Sequence, residues 1–107
     1  MTVFHALAHE RRREILALLR DRDMTVGEVT AHFEVTQPAI SQHLKVLSDA
    51  GLVTRRNEGT RHLFRARPEG LEELQDFLAG FFEEGLARLK AAAEAEERSG
   101  APDARSN

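Results

Sequence analysis

The chain has 107 residues, enough for one domain and too few for two, and its 41% apolar and 31% charged residues are ordinary for a soluble globular protein. It contains no cysteine, which excludes disulfides, thiolate metal sites and cysteine nucleophiles. A net charge of −3 hides an asymmetry: Thr36 to Arg67 carries six basic residues against Asp49 and Glu58, net +4, while Pro68 to Glu97 carries nine acids against Arg88 and Lys90, net −7.

In chain order, Phe4, Leu7 and Ala8 suggest a short first helix, and Glu10 to Arg20 a second, with Ile15, Leu16, Leu18 and Leu19 on one broad face. Asp21-Arg22-Asp23 reads as a connector. Thr25 with Glu28 three residues on is a capping box, and the helix it opens buries Val26, Val29 and Phe33. Glu34 and Val35 lead to Thr36, a second N-cap, so Pro38 falls in a first helical turn, where backbone N–H groups have no intrahelical partner. Ile40, Leu44 and Leu47 follow at helical spacing, and Gly51 closes the helix, with Leu52 able to pack back on its last turn. Leu52 to Arg56 and Thr60 to Arg65 read as two strands joined by Asn57-Glu58-Gly59. Pro68 precedes a long helix to about Glu97, with an apolar set of Leu71, Leu74, Phe77, Leu78, Phe81, Phe82, Leu86 and Leu89. Gly80 and Gly85, each unfavourable by about 1 kcal/mol inside a helix, are easiest to explain if another backbone comes close there. The expected organisation is one domain over 1–97 and a disordered tail over 98–107, rich in Ser, Gly and Pro. No stretch approaches the ~20 apolar residues that span a bilayer, and no signal-peptide pattern opens the chain, so a cytoplasmic location without membrane contact is the expectation.

Two short helices joined by a tight turn, followed by a basic hairpin, have the order of a winged helix-turn-helix, a mainly α (α+β) fold whose second helix enters the DNA major groove. With Ile40, Leu44 and Leu47 turned inward, Gln37, Pro38, Ser41, Gln42 and Lys45 face out. Glutamine can bond bidentately to adenine edges, serine can address bases or phosphates, and the free N–H groups near Thr36 and Gln37 suit a phosphate. No acid stands on this face before Asp49. Arg55, Arg56 and Arg61 around the hairpin tip can reach phosphates or a narrow minor groove. A solvated basic hairpin beside a solvated acidic helix would explain the charges alone; the charges together with the element order point to double-stranded DNA.

Phe4-His5-Ala6-Leu7-Ala8-His9, Arg12-Arg13-Glu14-Ile15-Leu16, Met24-Thr25-Val26-Gly27-Glu28-Val29, Ser41-Gln42-His43-Leu44-Lys45-Val46-Leu47 and Ala50-Gly51-Leu52-Val53, taken in order, resemble the ArsR family of bacterial winged-helix repressors over residues 3 to 90. The resemblance implies a homodimer built from the first and last helices, through Phe4, Leu7, Leu74, Phe77, Leu78, Phe81 and Phe82, bound to an imperfect palindrome. It implies DNA-reading places at Gln37, Pro38, Ser41 and Gln42, and a wing place at Arg61. Where metal-sensing members have paired cysteines this chain has Thr25 and Gly27, and no histidine follows His62 in the last helix. Sensing of arsenite, cadmium or lead through thiolates is therefore excluded, as is thiol redox sensing.

Two alternatives stand beside a repressor without a resident cofactor. One adds a divalent metal (nickel, zinc or cobalt) at His5 and His9, four residues apart, which share a face if one helix runs through both, with Asp76, Glu83 or Glu84 of a second subunit completing the site. Against it, His9 precedes Glu10, where it can cap the second helix. The other is an interaction module that binds a protein co-regulator through its aromatic helix and has lost DNA binding. His43 is expected to pack beside the reading helix or touch a phosphate, and His32 and His62 to be surface residues. An enzyme is not expected: Ser41, His43 and Asp49 point to different faces of one helix, and no Gly-rich phosphate loop occurs.

Overall fold

Each helix of the N-terminal region begins on a side chain that satisfies an otherwise orphaned N–H group. In the computed structural model, which describes residues 2–98, α1 (Val3–Leu7) starts on Thr2, whose Oγ1 accepts from His5 N at 3.1 Å. Helix α2 (Glu10–Leu18) starts on His9, whose Nδ1 accepts from Arg11 N at 3.2 Å. The capping box of α3 (Val26–Thr30) is complete: Glu28 N donates to Thr25 Oγ1 and Thr25 N donates to Glu28 Oε1. Thr36 Oγ1 accepts from Ala39 N at 3.3 Å to open α4 (Gln37–Asp49), with Pro38 in the first turn. That helix ends in a Schellman motif: Leu52 N donates to Leu47 O and Gly51 N to Ser48 O, with Gly51 at φ +76°.

The wing is a two-stranded antiparallel hairpin, β1 (Val53–Glu58) and β2 (Arg61–Ala66), in a register that pairs Val53 with Ala66 and Glu58 with Arg61. Asn57 and Glu58 therefore belong to the strand, and the turn is Gly59-Thr60, with Gly59 at φ +63°. A glycine in the first of two turn positions keeps the strands' right-handed twist, so the pairing runs two residues further than composition suggests. Met24 adds a bridge to Phe64, donating and accepting at 3.0 and 2.8 Å. Ala66 N donates to Leu19 O and Arg67 N to Leu52 O, which fastens the base of the hairpin.

The core joins Ala6 of α1, Ile15 and Leu19 of the second helix and its cap, Met24, Val29, Ile40, Leu44, Leu47, Leu52, Val53 and Leu63. Leu16, Leu18, Val26 and Phe33 pack against it half-buried. Helices α2 and α3 are shorter than periodicity predicts; residues 31–35 form the turn before α4, and Phe33 reaches the core from that turn rather than from a helix. Gly70, in the 3-10 turn Pro68–Leu71, is forced: a Cβ there would run into the Gly51 carbonyl oxygen, with the Gly51 carbonyl carbon 2.9 Å away.

Contacts group the chain into two units, Met1–Leu74 and Gln75–Asn107. Most of α5 (Glu72–Arg98) forms the described part of the second. Along it Phe77, Leu78, Phe81, Phe82, Leu86 and Leu89 are exposed, and the Phe77 and Phe81 rings meet edge to face at 5.1 Å. Among the described residues, nothing beyond the helix's own adjacent backbone comes within 4 Å of a Cβ built at Gly80 or Gly85. Arg98, assigned to the tail from sequence, ends α5; residues 99–107 lie outside the described part.

Candidate nucleic-acid interface

The periodicity of α4 divides it cleanly. Ile40, Leu44 and Leu47 are fully buried, while Gln37, Pro38, Ser41, Gln42 and Lys45 are all exposed, as is the capping Thr36. The exposed side is a row of amides, a hydroxyl and an ammonium. Its first acid is Asp49, which Lys45 Nζ reaches at 3.2 Å, a solvent-exposed pair that holds the lysine weakly.

Between α4 and the wing lies a groove of about 570 Å³ lined by Ser41, Lys45, Ser48 and Asp49 on one wall and Arg55, His62 and Phe64 on the other. Strand alternation explains the second wall. Directly paired residues share a face, so Arg55 with Phe64 and Asn57 with His62 face the groove, and His62 Nδ1 and Asn57 Oδ1 lie 2.7 Å apart. Arg56 is one residue on and points to the opposite face. There its Nη2 donates to Asp23 Oδ2 at 2.6 Å and its Nη1 to Glu58 Oε2 at 2.8 Å. Arg65 Nη1 donates to Asp23 Oδ1 at 3.1 Å, and Arg61 lies 3.7 Å from Glu28. The three arginines grouped from sequence thus divide: Arg55 stands with Ser41 and Lys45, Arg61 sits beside the turn, and Arg56 is turned onto two carboxylates.

Charge follows geometry. The hydrogen bonds from Arg56 and then Arg65 hold the Asp23 carboxyl below its usual range, and those from Arg56 to Asp23 and then Glu58 raise Arg56. The Glu28 carboxyl is lowered first by the Thr25 backbone N–H and then by its hydroxyl. His43 lies behind the exposed row. Its ring meets that of His9 at 4.7 Å, and Arg12 Nε donates to its Nδ1 at 3.4 Å. Burial comes first in pushing its pKa down, followed by the electrostatic influence of the neighbouring His9, Arg12 and Arg11. Arg12 Nη1 also donates to the carbonyls of His5 and Ala6, linking α1 to the back of α4.

His5 and His9 do not share a helix. α1 stops at Leu7, and His9 is the non-helical cap of α2 with Nδ1 already accepting from Arg11. The four-residue spacing therefore loses its helical meaning. No three His, Asp or Glu side chains converge as metal ligands among the described residues. Phe4 is exposed, and Leu7 and Leu74 are half-buried. Composition gave no sign of Asp23 or Arg12. The alternation of β1 outward from the apolar Val53 does carry a signal, since it already separates Arg55 from Arg56.

The fold agrees with comparisons to known proteins. The model for the family described as "Bacterial regulatory protein, arsR family" matches residues 9–55, from the cap of α2 into β1. The chain is 41% identical over 83 residues to the HTH-type transcriptional regulator Rv2034 of Mycobacterium tuberculosis, covering 78% of each chain. It is 31% identical to the transcriptional repressor SdpR of Bacillus subtilis, over 78% of this chain and 92% of that one. Among solved structures it resembles the homodimeric winged helix-turn-helix DNA-binding domain Mb0332 of Mycobacterium bovis, with a TM-score of 0.60, 31% identity, and coverage of 75% of this chain and 74% of that one. These relatives carry the names of regulators rather than enzymes. With this fold and these relatives, the chain belongs to the arsR family of bacterial regulatory proteins, winged helix-turn-helix regulators of transcription.

Proposed function

We propose that two copies of the chain bind a palindromic DNA site and repress the promoter that contains it. The observation that carries this reading is the outward row of α4, which offers uncharged amides and a hydroxyl beside a groove whose far wall holds Arg55. Gln37, Ser41 and Gln42 read base edges from successive major grooves about one helical turn apart. Pro38 packs on the groove floor, the N–H groups after Thr36 take a phosphate, and Lys45 adds charge. Arg55 and Arg61 grip the flanking backbone. Arg56 contributes less directly, because Asp23 and Glu58 compete for it.

The dimer uses Phe4 and Leu7 of α1 with Leu74, Phe77, Leu78, Phe81 and Phe82 of α5. Support comes from the exposed aromatic stripe, where burying one such side chain is worth about 1.5–3 kcal/mol, and from the homodimeric relative. Repression follows from obstructing polymerase, and the relative named a repressor supports that sign.

Footprinting on the DNA upstream of the chain's own coding region, with titrations of four variants, tests the reading. Gln37→Ala and Ser41→Ala lower sequence discrimination by about 1–3 kcal/mol each. Arg55→Ala and Arg61→Ala weaken binding on all sequences and flatten the salt slope by about one unit each. Equal affinities and footprints for wild type and all four variants would overturn it, and mobility shifted by a partner protein but not by DNA would favour the interaction module. A metal-responsive version with nickel, zinc or cobalt at His5 and His9 has less support, because the cap leaves only Nε2 of His9 to ligate and the two residues do not share a helix. Calorimetry with the three metals on wild type and on His5→Ala/His9→Ala decides it, and no heat in either protein ends it.

A further inference from the structure

The wing is long and thinly supported. From Thr54 to His62 every residue is exposed, and the backbone attachments of the hairpin lie at its base, through Met24 and Phe64, Leu19 and Ala66, and Leu52 and Arg67. A lone two-stranded hairpin is marginal in water. Something must hold it sideways if it is to present cations at a defined angle. One side chain is placed to do so. Asp23 directly precedes the bridging Met24, and each of its carboxylate oxygens takes one strand: Oδ2 accepts from Arg56 of β1 at 2.6 Å, and Oδ1 from Arg65 of β2 at 3.1 Å. Arg56 and Arg65 are on the face opposite Arg55, so the clamp lies behind the groove-facing surface. The Asp23 side chain is 25% exposed, whereas Glu14, Asp21, Glu28, Asp49, Glu58 and Glu84 in their ion pairs are 49–76% exposed. The carboxylate is the sheltered half of each pair, since Arg56 and Arg65 remain 54% and 52% exposed, and it is the shared, two-strand geometry that sets these contacts apart from single surface pairs. Glu28 adds a looser tether further out, 3.7 Å from Arg61.

We propose that Asp23 is the positioning residue of the wing: by holding Arg56 and Arg65 it fixes the angle at which the hairpin presents Arg55 and Arg61 to a DNA backbone. This rests on the reading of the wing as a DNA contact. It also makes a prediction of unusual sign. Removing an acid near a DNA-binding surface ordinarily strengthens binding, because it releases cations toward phosphate. If Asp23 positions the wing, its removal weakens binding although the protein becomes more positive.

The test uses two duplexes: the one that wild type selects from a randomised library, and a random-sequence duplex of equal length. Asp23→Asn keeps size and loses charge. The expected result is an affinity several-fold lower on both duplexes and a salt slope shallower by about one. Hydroxyl-radical protection should be lost where the wing lies and retained where α4 lies. Asp23→Glu, which keeps the charge, restores affinity and slope. Binding by Asp23→Asn as tight as wild type or tighter, with an equal or steeper slope, overturns the proposal and leaves Asp23 a shield for two arginines. Loss of protection under α4 as well, with a melting temperature that has collapsed, overturns it in favour of a general loss of fold. If wild type selects no duplex at all, the DNA-binding reading fails first, and the proposal with it.

Discussion

Helices α4 and α5 both carry an apolar stripe at helical spacing, and the two stripes end differently. In α4, Ile40, Leu44 and Leu47 are at most 1% exposed, while in α5 Phe77, Phe81, Phe82, Leu86 and Leu89 keep 54–69% of their surface open. An amphipathic pattern states that a face needs cover and leaves the source of the cover open. For α4 the cover is the rest of its own unit, whose residues Ile15, Val29 and Leu52 close over it. For α5 the stripe stays exposed among the described residues, and the dimer proposed above would cover it. The polar faces differ as well: the one behind the buried stripe is net neutral, with Lys45 paired to Asp49, and the one behind the open stripe is strongly acidic.

The largest expected effect separates the two stripes directly. Leu44→Ala should destabilise the fold by about 2–5 kcal/mol through lost burial and a residual cavity, at every protein concentration. Leu86→Ala should shift the unfolding midpoint only as far as association does, so its effect varies with concentration. Denaturant titrations at two concentrations decide, and a concentration-independent loss of the same size for both breaks the comparison.

Glycines sharpen it next. Gly70→Ala should destabilise by about 1–3 kcal/mol, because the new methyl meets the Gly51 carbonyl and the turn must move. Gly80→Ala has open space in the chain and should stabilise α5 by about 0.5–1 kcal/mol through propensity alone. If it weakens self-association in sedimentation experiments, a second backbone lies against that position.

Smaller still is the cap of α4. Thr36→Ala should lower stability by about 1 kcal/mol, read by chemical denaturation, and an unchanged midpoint would show that Pro38 and solvent suffice to start α4. The smallest effect is a pH slope behind α4. His43 is held below its ordinary value of 6.5, so the unfolded chain binds more protons between the two values. Stability from this group is therefore complete above 6.5 and declines as pH falls through 6.5 toward the folded value. The melting temperature of wild type should drop between about pH 7 and about pH 5.5 more than that of His43→Gln. Equal slopes would remove His43 as the cause.

Much of α4 was legible in the residues because its determinants are local. Thr36, Pro38 and Gly51 act within one turn of where they stand, and a period of 3.6 separates Gln37, Ser41 and Gln42 from Ile40, Leu44 and Leu47. The capping box at Thr25 was legible for the same reason. The hairpin was legible in kind but not in length, since turn-forming residues such as Asn57 are also tolerated at strand ends. His5 and His9 show how spacing misleads: four residues carry a shared face only if no cap intervenes, and His9 is itself the cap.

The sequence by itself determined where α3 and α4 start and where α4 stops, which face of α4 is buried, where charge of each sign accumulates, and that no thiol chemistry is available. These are consequences of backbone hydrogen bonding and side-chain periodicity over a few residues. The tertiary structure alone decided that Arg55 and Arg56 serve opposite faces, that Asp23 reaches across to both strands of the wing, that Arg12 joins α1 to His43, and that Gly70 cannot carry a side chain. Each depends on groups far apart in the chain meeting within a few ångströms, and no local preference encodes such a meeting.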